Sequence, residues 1–243
     1  METLTVETVL EALQNGELAL EGEFVHGYNY TFLVKVKPEE GEPFFAVYKP
    51  QQGEQPLWDF PANTLAHREA AAFLVSQALG WELVPPTVYR EDGPFGPGSL
   101  QLYIEHDPNH HYFNFNDEEF QILRPVVLFD LLINNADRKG GHMIFGEDEH
   151  LWLIDHGLCF NVEEKLRTVI WDFAGELIPE DLCAALREFR QKLGPPSDLL
   201  DALKEHLAPD EIEALVARIE NLLPCKHFPY PPQDRRAYPF PPV

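Results

Sequence analysis

Positive charge is scarce in this chain. Eighteen Lys and Arg face 41 Asp and Glu in 243 residues, a formal charge of −23. Nucleic-acid backbones are bound by clustered Lys and Arg, and no basic run occurs here, so nucleic acid is not an expected partner. An anionic membrane surface is matched equally poorly. Cysteine is scarce as well. Cys159, Cys183 and Cys225 are widely spaced and odd in number, which gives neither a disulfide framework nor a CxxC metal site. They read as reduced thiols. No apolar run is long enough to span a bilayer, and the opening METLTVETVLEALQNGELAL lacks the basic start and apolar centre of a secretory leader. A soluble, cytoplasmic protein without stable membrane association is therefore expected. Glycine-rich GxGxxG loops, HExxH spacings and internal repeats are also missing, and His26, His67, His106, His110 and His111 are assigned no metal.

What the chain does contain is apolar substance, 44% hydrophobic and 12% aromatic residues, enough for one large domain or two small lobes with a core. Thr5 is placed to cap a short helix carrying Val6, Val9, Leu10 and Leu13, with Gly16 as its stop. LALEGEFV, TFLVKVK and FFAVYKP read as an antiparallel meander over residues 17–50. Asn63 or Thr64 opens a helix that Gly80 ends. LVPPTVYRE and GSLQLYIEHD read as two further strands around the turn DGPFGPG. After residue 106 the pattern turns helical. DEEFQILRPVVLFDLLINNA is interrupted at Pro125, a kink or a break. HMIF and HLWLID form a hairpin, and three helices follow from PEDLCAALREFRQKL, SDLLDALKEHL and PDEIEALVARIENLL. The tail CKHFPYPPQDRRAYPFPPV is too rich in proline for helix or central strand, and an extended path over the surface is expected. The architecture is thus α+β, a β-rich lobe over residues 1–105 and a mostly helical lobe over 106–243, joined near YIEHD.

Four features carry candidate chemistry. The turn HGYNYTF could cradle phosphate with backbone N–H groups and hydroxyls, although most such turns only reverse the chain. Lys49 ends a strand; a lone strand-end Lys is usually a solvated charge unless a carboxylate waits for it. Glu69 lies four residues after Leu65 and three before Ala72, on the apolar side of its helix. A carboxylate there is costly unless paired. Lys49 is one partner; a Glu that snorkels to solvent, or one that pairs near Arg68, is the other possibility. Last, Asp137 follows a helix in a turn rich in Gly and Asn, and Asp155 closes an apolar strand before His156 and Gly157. A hairpin brings these two carboxylates into one cleft, which suits a hard divalent cation carrying phosphate. Singly, each would read as a turn-capping Asp.

In this order, ADRKGGHMI followed by LIDHGLCF resembles the catalytic and metal loops of protein-kinase-like folds. It is similar to their phosphoinositide 3-/4-kinase-like branch, which includes HipA-type bacterial kinases. NNADRKGGH, IDHG, WDFAGE and the terminal PFPPV extend the resemblance, nearly over the whole chain, to a bacterial phosphatidylinositol-kinase-like family. The resemblance implies a two-lobed fold, with a small antiparallel β-rich N-lobe bearing one helix and a mostly helical C-lobe. It implies ATP and Mg or Mn as cofactors, and a hydroxyl acceptor on a protein or small molecule. Asp137 would be the catalytic base, Asp155 the metal ligand, Lys49 the phosphate-holding cation and Glu69 its orienter. Gly27, Tyr28, Asn29 and Thr31 would form the phosphate loop. Tyr103, Ile104 and Glu105 would be the hinge that reads adenine. Arg138 follows Asp137 as in the family, and Asp130 would support the catalytic loop.

Two positions depart from the pattern. His142 stands where the phosphoinositide 3-/4-kinase-like branch has a metal-binding Asn. Imidazole nitrogen suits Mn²⁺ or later metals better than Mg²⁺, so His142 either ligates and shifts the metal preference or does not ligate at all. His156 replaces the aromatic of Asp-Phe-Gly. Lys139 is either a further phosphate contact or a solvated loop Lys; Trp171, Asp172 and Phe173 follow the metal loop, where kinases place the substrate-facing segment, and the two aromatics read mainly as core or interface, with substrate contact as the alternative. Three functions follow: a γ-phosphate transferase, a nucleotide-binding pseudokinase serving as a regulatory module, with transfer of another ATP group such as AMP as a variant, or a metallohydrolase using Asp137, His142, Asp155 and His156.

Overall fold

A computed structural model describes residues 5–24 and 29–243 of the chain. The sheet side begins with α1 (Val6–Asn15), capped by Thr5, whose hydroxyl accepts from the Thr8 N–H at 3.3 Å. Gly16 ends it because the chain leaves no room for a side chain. A Cβ there would stand 2.5 Å from the Ala12 carbonyl oxygen. Next come β1 (Glu17–Glu23), β2 (Phe32–Lys37) and β3 (Phe44–Pro50), antiparallel neighbours as the alternation requires. Phe32, Val34 and Val36 of β2, with Ala46 and Tyr48 of β3, face α1 residues Val9, Ala12 and Leu13 in one core. The helix α2 (Leu65–Leu79) follows, then β4 (Thr87–Gly93) and β5 (Gly96–Leu102). The sheet order is β1-β2-β3-β5-β4, so the second strand of the last hairpin pairs with β3.

Two details differ from expectation. The strands reach further into DGPFGPG than its glycines and prolines suggested, with Gly93 opposite Gly96 and only Pro94 and Phe95 between them. The cause is Tyr48, whose ring packs under this hairpin. Its hydroxyl donates to the Gly96 carbonyl at 2.6 Å, and a Cβ at Gly93 would lie 2.4 Å from that hydroxyl. The second difference concerns α2. Thr64 sits at its cap, but its hydroxyl donates to the Pro61 carbonyl. The free helix N–H groups are served from a distance by Glu54, whose Oε1 accepts from the Ala66 N–H at 3.0 Å.

The helical side comprises α3 (Asp117–Gln121), α4 (Arg124–Ile133), the hairpin β6 (Met143–Phe145) and β7 (Leu151–Leu153), then α5 (Glu180–Lys192), α6 (Asp198–Lys204) and α7 (Pro209–Cys225). Pro125 is a break, not a kink. It sits in the first turn of α4, where its missing N–H costs nothing. One apolar core runs through α2, α4, α5, α7 and the hairpin, with Phe129, Leu132, Leu186, Phe189 and Leu215 fully buried. Each such side chain contributes roughly 1.5–3 kcal/mol by leaving water. Thus α2, set between sheet and helices, shares its Ala71, Phe73 and Val75 with the helical core.

The tail follows an extended path, as its prolines demand. Ala237 accepts from the Thr168 N–H at 3.1 Å, and Pro242 accepts from the Gly140 N–H at 2.8 Å. Among the described residues no helix is long and apolar enough to cross a membrane.

Candidate active site

Lys49, on β3, reaches Glu69 of α2. Its Nζ lies 2.5 Å from Glu69 Oε1 and 3.0 Å from Asp155 Oδ1. Glu69 is buried, so the snorkelling alternative does not hold. Nor does pairing near Arg68, because Arg68 forms its own buried ion pair with Glu211. Burial alone would lower the pKa of the Lys49 ammonium, but the charges of Asp155 and Glu69 outweigh it and hold it above its ordinary value. The same Lys49 charge holds Asp155 well below the usual carboxylate range. Asp155 has φ +62°, a left-handed backbone that turns its carboxylate toward the cleft and not along the strand.

Asp137 faces the same cleft and is backed by Lys139, whose Nζ is 3.2 Å from Asp137 Oδ2. Burial lifts the Asp137 carboxyl to about 6, against the opposing pull of Lys139. His142 Nε2 stands 3.3 Å from Asp155 Oδ2, while its buried Nδ1 has no hydrogen-bond partner among the described residues. Burial lowers the imidazole to about 4, so it is neutral at pH 7.

Behind these groups lies a buried polar frame. Arg138 forms a forked ion pair with Asp130, with Nε 3.0 Å from Oδ2, and donates at 3.1 Å to the carbonyls of His142 and Ile154. Its fourth partner, 2.9 Å from Nη2, is His156 Nε2. Arginine only donates, so that nitrogen is the bare one and the imidazole proton sits on Nδ1. His156 is thereby turned away from the cleft. The four-residue metal set of the hydrolase alternative does not assemble, and among the described residues no three His, Cys, Asp or Glu side chains converge as a metal cage. Asn135 links the frame to the cleft by donating to Asp130 at 3.0 Å and accepting from the Asp137 N–H at 2.9 Å.

The cleft has a volume of 450 Å³. Its apolar part is lined by Val47 and Leu102 of the sheet and by Ile144 and Ile154 of the hairpin region. Its polar part holds Lys49, Glu69, Asp137, Lys139, His142 and Asp155. Asn29 and Thr31 line it as well, whereas Gly27 and Tyr28 lie outside the described residues. Tyr103 and Ile104 line it; Glu105 does not. The Tyr103 N–H is already donated to the Phe45 carbonyl, and the Ile104 carbonyl is paired with His106 Nδ1. Trp171, Asp172 and Phe173 are structural. Phe173 is buried, Asp172 accepts from the Tyr112 hydroxyl, and Trp171 Nε1 donates to the Ala237 carbonyl.

Sequence reasoning missed the segment after β3. Glu54, Gln55 and Leu57 line the cleft, and the Gln55 N–H donates to Asn29 Oδ1 at 2.8 Å. Its only sequence signal was an acid, Glu54, a short distance before a helix start.

No family model matches the chain. Protein Rv2133c of Mycobacterium tuberculosis is 39% identical over 264 residues, an alignment covering 94% of this chain and 93% of that protein. Phosphatidylinositol 4-kinase gamma 4 of Arabidopsis thaliana is 27% identical over 169 residues, covering 63% of this chain and 30% of that much longer protein. Among solved structures, the Helicobacter pylori proinflammatory kinase CtkA superposes with a TM-score of 0.54 at 11% identity, over 89% of this chain and 94% of that one. The Golgi casein kinase with Mn/ADP bound superposes at 0.53 and 18% identity, over 98% of this chain and 80% of that one. At such identities the likeness concerns the fold, an α+β, two-lobed protein-kinase-like fold.

Proposed function

We propose that this chain, which belongs to the family of Rv2133c of Mycobacterium tuberculosis, is an atypical kinase, an ATP-dependent phosphotransferase acting on a hydroxyl. The observation that carries the reading is Lys49, held between Glu69 and Asp155 in a cleft that also contains Asp137. Residues 1–105 and 106–243 are the two lobes that close on the nucleotide. Val47, Leu102, Ile144 and Ile154 take the adenine ring, with Tyr103 and Ile104 at its edge. Asn29 and Thr31 approach the phosphates, and Lys49 neutralises them.

Asp155 and His142 would hold a divalent cation, Mg²⁺ or Mn²⁺, through one carboxylate and one imidazole. When bound, such a cation offsets the charge of the phosphates. Asp137 accepts the proton of the acceptor hydroxyl as its oxygen bonds to the γ-phosphorus and the bond to the β–γ bridging oxygen breaks, leaving ADP. Most of the catalysis is positioning and charge neutralisation. Within kinase-like folds, ADRKGGH and IDHG support the phosphoinositide 3-/4-kinase-like and HipA-like branch.

One observation favours a second reading, a nucleotide-binding pseudokinase. His142 keeps a buried nitrogen without a partner among the described residues, at the position where the phosphoinositide 3-/4-kinase-like pattern has a metal-binding Asn. Purified protein assayed for ATP binding and γ-phosphate turnover, with Mg²⁺ or Mn²⁺ and with Asp155→Ala as control, separates the two. Turnover lost in the variant supports the kinase. Nucleotide binding without turnover supports the regulatory module, and no nucleotide binding defeats both.

A further inference from the structure

A second cavity lies apart from the nucleotide cleft. It has a volume of 700 Å³ and is walled by α1, α2, β4 and the turn between α6 and α7. Two half-buried imidazoles meet in its wall. His67 Nδ1, on α2, lies 3.1 Å from His206 Nδ1, on the turn. Neither histidine has a task in the phosphotransfer reading. The partner of His67 stands 139 positions along the chain, so no HExxH-type spacing announces it.

Two arrangements place the nitrogens so. In one, an Nδ1–H of one ring donates to the other ring. In the other, both nitrogens turn lone pairs to a single cation. Nitrogen ligands about 2.0–2.1 Å from a tetrahedral ion stand about 3.3–3.4 Å apart, so a small rotation of either ring admits one. The surroundings favour the cation. Stacking on Tyr89, with centroids 3.8 Å apart and planes 18° apart, fixes the His67 ring. Burial lowers both imidazoles, His206 to about 4, so both are in the neutral, ligating form at pH 7. Glu11, Glu91 and Glu205 line the same cavity, and none of them is ion-paired among the described residues. The charge of Glu91 already acts on His67, and Arg68, which acts against it, is answered by Glu211.

We propose that His67 and His206 are the two protein ligands of a site for a late first-row divalent cation of the zinc class. No third His, Cys, Asp or Glu donor converges on the pair among the described residues. Water therefore fills the remaining positions, unless Glu91 or Glu205 swings in from the cavity wall. Two imidazole nitrogens select against Mg²⁺ and Ca²⁺, which take oxygen ligands. The ion would fasten α2 to the turn before α7, and α2 is the helix that carries Glu69. The site is independent of the phosphotransfer reading.

The test titrates the full chain, stripped of metal by a chelator, with Zn²⁺ by calorimetry in excess Mg²⁺. The expected result is one equivalent of Zn²⁺ that Mg²⁺ does not displace, bound at least ten-fold more weakly by His67→Gln and by His206→Gln and equally well by Asp155→Ala. Zn²⁺ should also raise the urea midpoint of the wild type and leave those of the two glutamine variants where they are. A second measurement needs no variant. Wild-type protein is treated with diethyl pyrocarbonate with and without Zn²⁺, and the modified histidines are mapped by mass spectrometry. Zn²⁺ should protect His67 and His206 above the other histidines. No such equivalent, unchanged affinity in both glutamine variants, or no protection of the pair overturns the proposal and leaves a hydrogen bond between two imidazoles. An equivalent that disappears in Asp155→Ala belongs to the nucleotide cleft and overturns it as well.

Discussion

The backbone N–H of His156 donates to Glu69 Oε2 at 2.8 Å, while the other oxygen of that carboxylate holds Lys49. Glu69 therefore does more than orient a lysine. It ties α2 to the loop that carries Asp155, so a shift of α2 would move the Lys49 ammonium and the Asp155 carboxylate together. Glu69→Gln keeps one acceptor but removes the charge, and its NH₂ faces a donor. We expect nucleotide affinity to fall about ten-fold or more and stability to drop by about 1–3 kcal/mol, the scale of a buried donor left unsatisfied. Calorimetric ADP titration and urea unfolding measure the two effects separately.

Arg138 is fully buried, and its ion pair with Asp130 is closed to water. Removing one partner leaves an uncompensated buried charge, so Asp130→Ala is expected to cost roughly 3–5 kcal/mol in chemical denaturation. Arg138→Lys should also destabilise, since an ammonium cannot reproduce the fork to Asp130 together with the bonds to His142, Ile154 and His156. A wild-type unfolding midpoint in Arg138→Lys would show that the frame does not depend on this fork.

Proton transfer gives a pH prediction. Asp137 accepts a proton only as carboxylate, and burial raises its carboxyl to about 6. Turnover should therefore be low at pH 5, rise through pH 6 and flatten above it. Asp137→Asn should reduce kcat by roughly 10²–10⁴-fold and abolish the inflection. An inflection that survives in Asp137→Asn would assign the titration to another group.

On the proposed kinase reading, His142 sets the metal preference. A carboxamide in its place offers a hard oxygen, and imidazole offers nitrogen. In His142→Asn the ratio of Mg²⁺-supported to Mn²⁺-supported turnover should rise at least several-fold. An unchanged ratio would remove His142 from the metal's shell.

The tail bears on the catalytic loop through the Gly140 N–H and on the following segment through Thr168. Truncation before Ala237 frees both donors. Amide exchange over residues 137–142 and 166–171 should speed up by about ten-fold or more relative to the buried helix α4, read by mass spectrometry. Unchanged protection would mean that the loop is held by Arg138 alone.

The legible parts of this molecule were those written locally. Alternation in β2 and β3, the caps of α1 and α6, and the break at Pro125 follow from neighbouring residues. Lys49, Asp137 and Asp155 were legible as an ordered set, and Glu69 from its spacing to Leu65 and Ala72. What the sequence did not disclose depends on distant partners. Glu54 serves a helix end through the N–H of a residue twelve positions on, and Tyr48 sets the length of a hairpin some fifty residues on. The choice of β5 over β4 as neighbour to β3 is likewise set by packing and not by pattern. No periodicity in the proline-rich tail marks which carbonyls meet the catalytic loop.

From Asp130 through Arg138 and His156 to Glu69, Lys49 and Asp155, each group touches the next. This continuity constrains inheritance as well as architecture. A lineage that exchanged buried Asp130, Arg138 or Glu69 alone would pass through an intermediate with a stranded charge or an unanswered donor in the interior. Divergence at these positions should therefore proceed by paired replacements, while the exposed faces around them vary freely.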